Sequence, residues 1–179
     1  MKHLITAILL FIFLSLVGYS IYQVTQFNTA SDDTKHVTTH DHPINNQNIS
    51  NVTVSDLKSN KLILRDELKH DINIINFWAS WCGPCNDEMP ELVAFDNEKP
   101  NHVGLIGMNV SDKKKKRDAF IMHYKAKYPM LVLDETKMKQ YNISNIPTTI
   151  FVDRKGKVLK TYIGELNRNK LEKIIADLK

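Results

Sequence analysis

Hydrophobic positions fall into three regimes along this chain. From Leu4 to Tyr22 they form one uncharged, mostly apolar run, LITAILLFIFLSLVGYSIY, with scattered small or polar residues such as Thr6, Ser15 and Gly18. It has about the length a helix needs to cross the hydrocarbon of a bilayer, and it lacks the polar stripe of a core helix. From Asn28 to about Asn51 the chain turns polar, rich in Asn, Thr, Asp and His, with no apolar period. That pattern reads as a flexible tether. From Val52 onward short β-like runs alternate with helical ones. Strands are expected at Val52–Val54, Leu62–Leu64, Ile72–Trp78, Val103–Val110, Met130–Leu133, Thr148–Val152 and Val158–Ile163, the last two flanking a turn at Arg154–Lys157. Helices are expected at Asp87–Glu98, kinked by Pro90, at Asp112–Lys127 with Ala119, Phe120 and Tyr124 inward, and at Glu135–Tyr141. A last helix, Lys170–Leu178, is capped by Asn167 and has Leu171, Ile174, Ile175 and Leu178 on one face. A hairpin, βαβαβ, a short helix, a second hairpin and a final helix make an α/β fold, a mixed sheet covered on both faces.

Three parts follow: residues 1–27 as an N-terminal signal anchor or transmembrane helix, 28–51 as the tether, and 52–179 as one folded domain. Lys2 precedes the apolar run, and Asp32 and Asp33 follow it. The positive-inside rule then leaves the N-terminus in the cytoplasm and the domain outside. A cleaved signal peptide is the rival reading. It usually has a shorter apolar run, and Gly18-Tyr19-Ser20 is a poor cleavage site. Both readings export the domain.

Composition narrows the classes. Hydrophobic residues make up 42% of the chain, enough for a core, which excludes wholesale disorder. The net charge of +4 is spread thinly, with no basic stripe interleaved with aromatics, so no nucleic-acid partner is expected. Lys113–Lys116 stand where they oppose a helix dipole and read as solvated surface.

The chain has 2 cysteines, Cys82 and Cys85, in the spacing C-x-x-C. A structural zinc site needs about four ligands, and a bridge across so short a loop constrains little of the unfolded chain. The pair is better explained by chemistry. An apolar strand ending in Phe77-Trp78 runs into Ala79-Ser80-Trp81-Cys82-Gly83-Pro84-Cys85 and then a helix. Sulfur at a helix N-terminus is stabilised as thiolate, the species that attacks disulfides. Cys82 is the expected nucleophile and Cys85, one turn on, the resolving thiol. Pro84 suits a first turn. Glu88, a turn beyond Cys85, is a candidate proton carrier or a plain surface glutamate. Pro147, in Ile146-Pro147-Thr148 before a strand, is a candidate cis proline or a simple strand-entry turn. His36, His40 and His42, with Asp41, stand in the tether; a metal site is conceivable, but chance residues of a solvated linker explain them, and no metal is expected.

Trp81-Cys82-Gly83-Pro84-Cys85 resembles the thioredoxin active site, and Ile146-Pro147-Thr148 resembles the cis-proline loop that faces it. The likeness runs from about Val52 to Lys179. Within that superfamily, Asn76-Phe77-Trp78, Glu88-Met89-Pro90, the Asp112–Lys127 insertion and Pro147-Thr148-Thr149 are similar to membrane-anchored ResA/TlpA-type proteins of cytochrome c maturation. The resemblance implies that Glu88 assists proton transfer and that Trp81, Gly83, Pro84, Ile146, Pro147 and Thr148 support the substrate. It implies no cofactor beyond the Cys82–Cys85 disulfide, exported disulfide proteins such as apocytochrome c as substrates, and a CcdA- or DsbD-type membrane electron donor. Two departures stand out. Thioredoxin has a buried aspartate where this chain has Asn76, and ResA-type proteins often have an acid where it has Gly83. The expected activity is an extracytoplasmic disulfide reductase. The alternatives are a disulfide oxidase for folding clients and a non-enzymatic copper-delivery module using the cysteines with tether histidines.

Overall fold

Ile72–Trp78 and Val103–Val110 are buried at every position, the mark of strands covered on both faces. They lie at the centre of the sheet in a computed structural model that describes Thr6, residues 10–20 and residues 40–178. The strands are β1 (Thr53–Asp56), β2 (Lys61–Ile63), β3 (Ile72–Trp78), β4 (Val103–Val110), β5 (Met130–Leu133), β6 (Thr148–Asp153) and β7 (Val158–Ile163). The α-helices of the folded part are α1 (Gly83–Glu98), α2 (Lys114–Tyr124), α3 (Glu135–Gln140) and α4 (Arg168–Asp177). The sheet has the order β2-β1-β5-β4-β3-β6-β7. β3, β4 and β5 run parallel, while β6, β7, β1 and β2 pair antiparallel to their neighbours. The expected mixed α/β sheet is present.

Strand alternation divides β3 between two cores. Ile74 and Trp78 pack with Met89, Leu92 and Phe95 of α1, Phe120 of α2 and Leu171, Ile174 and Ile175 of α4. Ile75 and Phe77 pack on the other face with Leu64, Leu68 and Ile106. Asn76 shares its parity with Ile74 and Trp78 and so faces α1.

The chain divides into two units, Met1–His36 and Val37–Lys179. In the first, residues 10–20 are helical and exposed throughout, with Ser15 Oγ donating to the Phe11 carbonyl at 2.9 Å. Among the described residues no helix is long and apolar enough to cross a membrane. Apart from Thr6, the rest of the expected anchor, and residues 28–39 of the expected tether with His36, lie outside the described residues.

The tether boundary at residue 51 is corrected. From His40 the segment packs against β7. His40 N–H donates to Thr161 O, Asn46 N–H to Val158 O and Ile49 N–H to Gly156 O, each at 2.8 Å, and Val158 N–H returns to Gln47 O at 2.9 Å. Ile44 and Ile49 are buried in the core. These bonds cover a sheet edge that would otherwise expose unpaired backbone groups. Gly156 makes the approach possible: its φ is +90°, and a Cβ there would stand 2.6–2.9 Å from Ser50.

Two helix expectations also change. The helix expected from Asp87 begins at Gly83 and continues through exposed Pro90 to Glu98. The one expected over Asp112–Lys127 is shorter, because Asp112 is engaged elsewhere and Lys125, at φ 54°, closes the last turn. Phe120 is inward as expected, but Ala119 is exposed. Arg117 takes a buried place instead, donating to Leu57 O at 3.0 Å and pairing with Asp118 at 2.7 Å.

Candidate functional site

The site forms where β3 ends. After Trp78 the chain turns through Ala79, Ser80 and Trp81, with Cys82 N–H closing onto Ala79 O at 3.2 Å. Cys82 then takes the N-cap of α1 in extended conformation, and Pro84 falls in the first turn, where its missing N–H costs no hydrogen bond. The sulfur occupies the place that a serine or aspartate oxygen usually fills: it accepts from Cys85 N–H at 3.2 Å. Cys82 and Cys85 are joined as a disulfide with Cα atoms 5.3 Å apart. Cys82 keeps 5% of its surface exposed and Cys85 none.

Across from Cys82 lies the β6 entry loop. The Ile146–Pro147 bond is cis, and the Ile146 carbonyl oxygen is 3.7 Å from Cys82 Sγ. Thr148 Oγ1 donates to Asn145 O at 2.7 Å, which ties the loop to itself. The structure thus brings Cys82, Cys85 and Ile146 together, with Pro147 and Thr148 directly following. Gly83 and Pro84 are exposed beside the disulfide. Trp81 is 61% exposed, its indole N–H donating to Ser111 O at 3.0 Å.

Glu88 is not a surface glutamate. It is 2% exposed, beneath the disulfide end of α1. Asn76 Nδ2 donates to one carboxyl oxygen at 2.7 Å, and Leu166 N–H to the other at 3.0 Å. Burial pushes its pKa up from the usual 4.5 to about 7; the Leu166 and Asn76 donors oppose the rise, and the Glu165 charge adds to it. Tyr128, buried nearby, is driven well above the usual phenol range by burial first and then by the charges of Glu88 and Asp96. Its hydroxyl donates to Met89 Sδ at 3.0 Å.

The sequence pattern does not mark Asn76, Leu166, Asp112 or Ser111 as site residues. Asn76 stands out there only as a departure, although a polar residue on the α1-facing side of an apolar strand is a usable signal. It also donates to Thr149 Oγ1 at 3.0 Å, while its own Oδ1 is buried without a partner. The described histidines of the expected tether lie elsewhere: His40 packs edge-on against Tyr162, and His42 Nε2 is 3.1 Å from Asn142 O.

The Redoxin family model matches residues 28–177. The chain belongs to the Redoxin family. It is 30% identical over 173 residues to a thiol-disulfide oxidoreductase ResA of Bacillus cereus, covering 96% of this chain and 93% of that one. It is 34% identical over 105 residues to the sporulation thiol-disulfide oxidoreductase A of Bacillus subtilis, covering 55% and 63%. The crystal structure of StoA from Bacillus subtilis matches with a TM-score of 0.56 and 27% identity, over 68% of this chain and 92% of that one. A DsbF homologue from Corynebacterium diphtheriae shares the fold at a TM-score of 0.64 and 24% identity, over 82% and 96%. This Redoxin protein is a thiol-disulfide oxidoreductase of the ResA/StoA type, with a thioredoxin-like fold around the Cys82–Cys85 pair.

Proposed function

We propose that the protein works outside the cytoplasm, held by its N-terminal apolar segment, as a reductase of disulfides in exported proteins. The observation that carries this reading is the placement of Cys82 Sγ, on the Cys85 N–H, opposite cis Pro147 and above a buried acid poised near neutrality.

The cycle starts from the dithiol. Cys82, as thiolate, attacks one sulfur of the client disulfide. The client S–S bond breaks, and the departing client thiolate takes a proton from water. Pro147 and its neighbours hold the client strand beside Cys82, with Trp81, Gly83, Pro84, Ile146 and Thr148 forming the surrounding surface. Cys85 then gives its proton to Glu88 and attacks Cys82 Sγ, expelling the second client thiolate. Two electrons pass to the client, and the Cys82–Cys85 disulfide remains. A carboxyl near pKa 7 accepts and returns a proton at neutral pH with little driving-force penalty. No further cofactor is needed. A membrane thiol donor of CcdA or DsbD type restores the dithiol.

The Gly83-Pro84 pair is that of thioredoxin, and this supports the reducing direction. The resemblance to ResA/TlpA-type proteins supports apocytochrome c, with its haem-binding cysteine pair, as client. Equilibration of the couple against thiol buffers tests the direction. A potential near or below roughly −230 mV is expected for a reductase, and one near roughly −120 mV makes the protein a disulfide donor. Loss of attached haem in a strain lacking the protein, restored by exogenous thiol, tests the client.

A further inference from the structure

We propose that Asp112 is a positioning residue for Cys82, acting through the turn Ala79–Trp81; this rests on Cys82 being the attacking sulfur. Three donors converge on its carboxylate. Ser80 N–H donates to Oδ2 at 2.7 Å, Ser80 Oγ to Oδ1 at 2.8 Å, and Asn109 Nδ2 to Oδ2 at 3.1 Å. Asn109 Nδ2 also reaches the carbonyl of Trp78, the last residue of β3, at 3.4 Å. One residue before Asp112, the Ser111 carbonyl accepts the Trp81 indole N–H at 3.0 Å. Both residues between Ala79 and Cys82 are therefore held by the loop joining β4 to α2. Ser111 has φ 49°, a left-handed conformation uncommon outside glycine. That conformation lets consecutive residues offer a carbonyl and a carboxylate to the same turn.

The brace matters most in the reduced state. While the disulfide is closed, Cys85 itself fixes Cys82. Once the S–S bond opens, the sulfur stays on the helix N-terminus only if the preceding turn holds its shape. Charge and position predict opposite effects. Removing a negative charge near a thiol eases ionisation and speeds reaction at neutral pH. Releasing the turn takes the sulfur off the Cys85 N–H and slows it.

The test is alkylation of Cys82 in the full-length reduced chain, followed by mass mapping across pH 5–9, in Asp112→Ala, Asp112→Asn and Ser80→Ala. Lys113, the last residue of the loop, Lys114, the first of α2, and Glu135, which accepts from Ser111 Oγ at 2.8 Å, are unchanged in every variant. Asparagine keeps one oxygen for the N–H donors, and its amide can donate to the Ser80 hydroxyl. Positioning therefore predicts an alkylation rate about tenfold lower for Asp112→Ala, from a small displacement of the sulfur. Asp112→Asn stays within about threefold of wild type, because most of the hydrogen bonds survive. The titration midpoint of Cys82 rises in the same order. Trp81 emission shifts with it, read against Trp81→Phe as the Trp78 background. Equal acceleration in Asn and Ala, with a lower midpoint, overturns the proposal in favour of a charge effect. Unchanged rates in both, with only a lower melting temperature, overturn it in favour of a fold-stabilising role. If Asp112→Ala does not fold, Ser80→Ala, which loses only the hydroxyl bond, must slow the reaction more than Asp112→Asn, or the proposal fails. Alkylation at Cys85 before Cys82 in the wild type instead overturns the nucleophile assignment beneath it.

Discussion

Replacing Glu88 with glutamine is expected to stabilise the oxidised protein above neutral pH and destabilise it in acid. Glu88 is 2% exposed, and burial lifts its pKa from 4.5 to about 7. At 1.36 kcal/mol per pH unit, that difference amounts to about 3 kcal/mol. In the unfolded chain the carboxyl ionises near 4.5, and in the folded chain near 7. Between those values the folded state binds more protons, so stability falls as pH rises through the window. The contribution is fully present below 4.5 and lost above about 7. Glutamine never ionises and so escapes the loss. Its amide nitrogen, however, must face either Asn76 Nδ2 or Leu166 N–H, both donors. Asn76 can resolve the conflict by turning its amide over. Its unpartnered Oδ1 then accepts from glutamine, and Thr149 Oγ1 becomes the donor. The turned Asn76 leaves both its N–H groups, and glutamine one of its own, without an acceptor, at a cost of about 2 kcal/mol. The variant is therefore expected to be about 1 kcal/mol more stable at pH 8 and about 2 kcal/mol less stable at pH 4.5. Urea unfolding of the unit Val37–Lys179 at both pH values reads this directly, with the disulfide closed so that neither sulfur titrates. Stability curves that run parallel with pH, without crossing, would refute the desolvated-carboxyl account.

In the proposed cycle Cys85→Ser should trap the client on Cys82 as a mixed disulfide on non-reducing gels, and Cys82→Ser should trap none; the reverse pattern would exchange the two roles. Ile44→Ala, at a side chain 1% exposed, should cost about 2–5 kcal/mol in urea unfolding. A loss under about 0.5 kcal/mol, the range of ordinary surface changes, would mean that the segment from His40 contributes nothing to the core. Asn76→Asp sets a second carboxyl where 2.7 Å now separates amide from carboxyl, so the pair should hold one proton between them. Its destabilisation should be small at pH 5 and grow by several kcal/mol towards pH 8; a pH-independent loss would mean that the two groups do not face each other.

The sheet was legible because β3 and β4 are continuous apolar runs, and β6–β7 is a hairpin around a Lys-Gly turn. The cysteines were legible because strand, turn and helix signals surround them within a few residues. What escaped shares one physical cause. His40–Ser50 is held by backbone bonds to a strand edge and by Ile44 and Ile49, which fit no period, so hydrophobic patterning had nothing to register. Asp112 looked like a helix residue, but its carboxylate serves a turn 32 residues away in sequence. Glu88 lies one turn beyond Cys85 on an irregular pattern, and only the packed structure shows that Leu166 covers it. Long-range polar pairing leaves no trace in local spacing. Arg117 makes the same point from the core side: helical periodicity favoured Ala119, and a backbone carbonyl at Leu57 won the inward place for a guanidinium.

Moving the acid from strand to helix has a mechanical consequence. Cys82 caps α1, Cys85 lies in its first turn and Glu88 in the next, so the separation of acid and thiol is set by helix geometry alone. Asn76 stands on β3 where a strand carboxyl would otherwise be, and it carries no charge to titrate. It donates to Glu88 and Thr149 together, which fixes the carboxyl plane from the sheet side, while Leu166 N–H fixes it from the loop before α4. Each carboxyl oxygen has a second lone pair, so a proton can arrive or leave without either bond breaking. Redox-linked proton movement in the proposed cycle then requires no rearrangement of the sheet, and the titrating carboxyl stays on the same rigid element as the sulfur it serves.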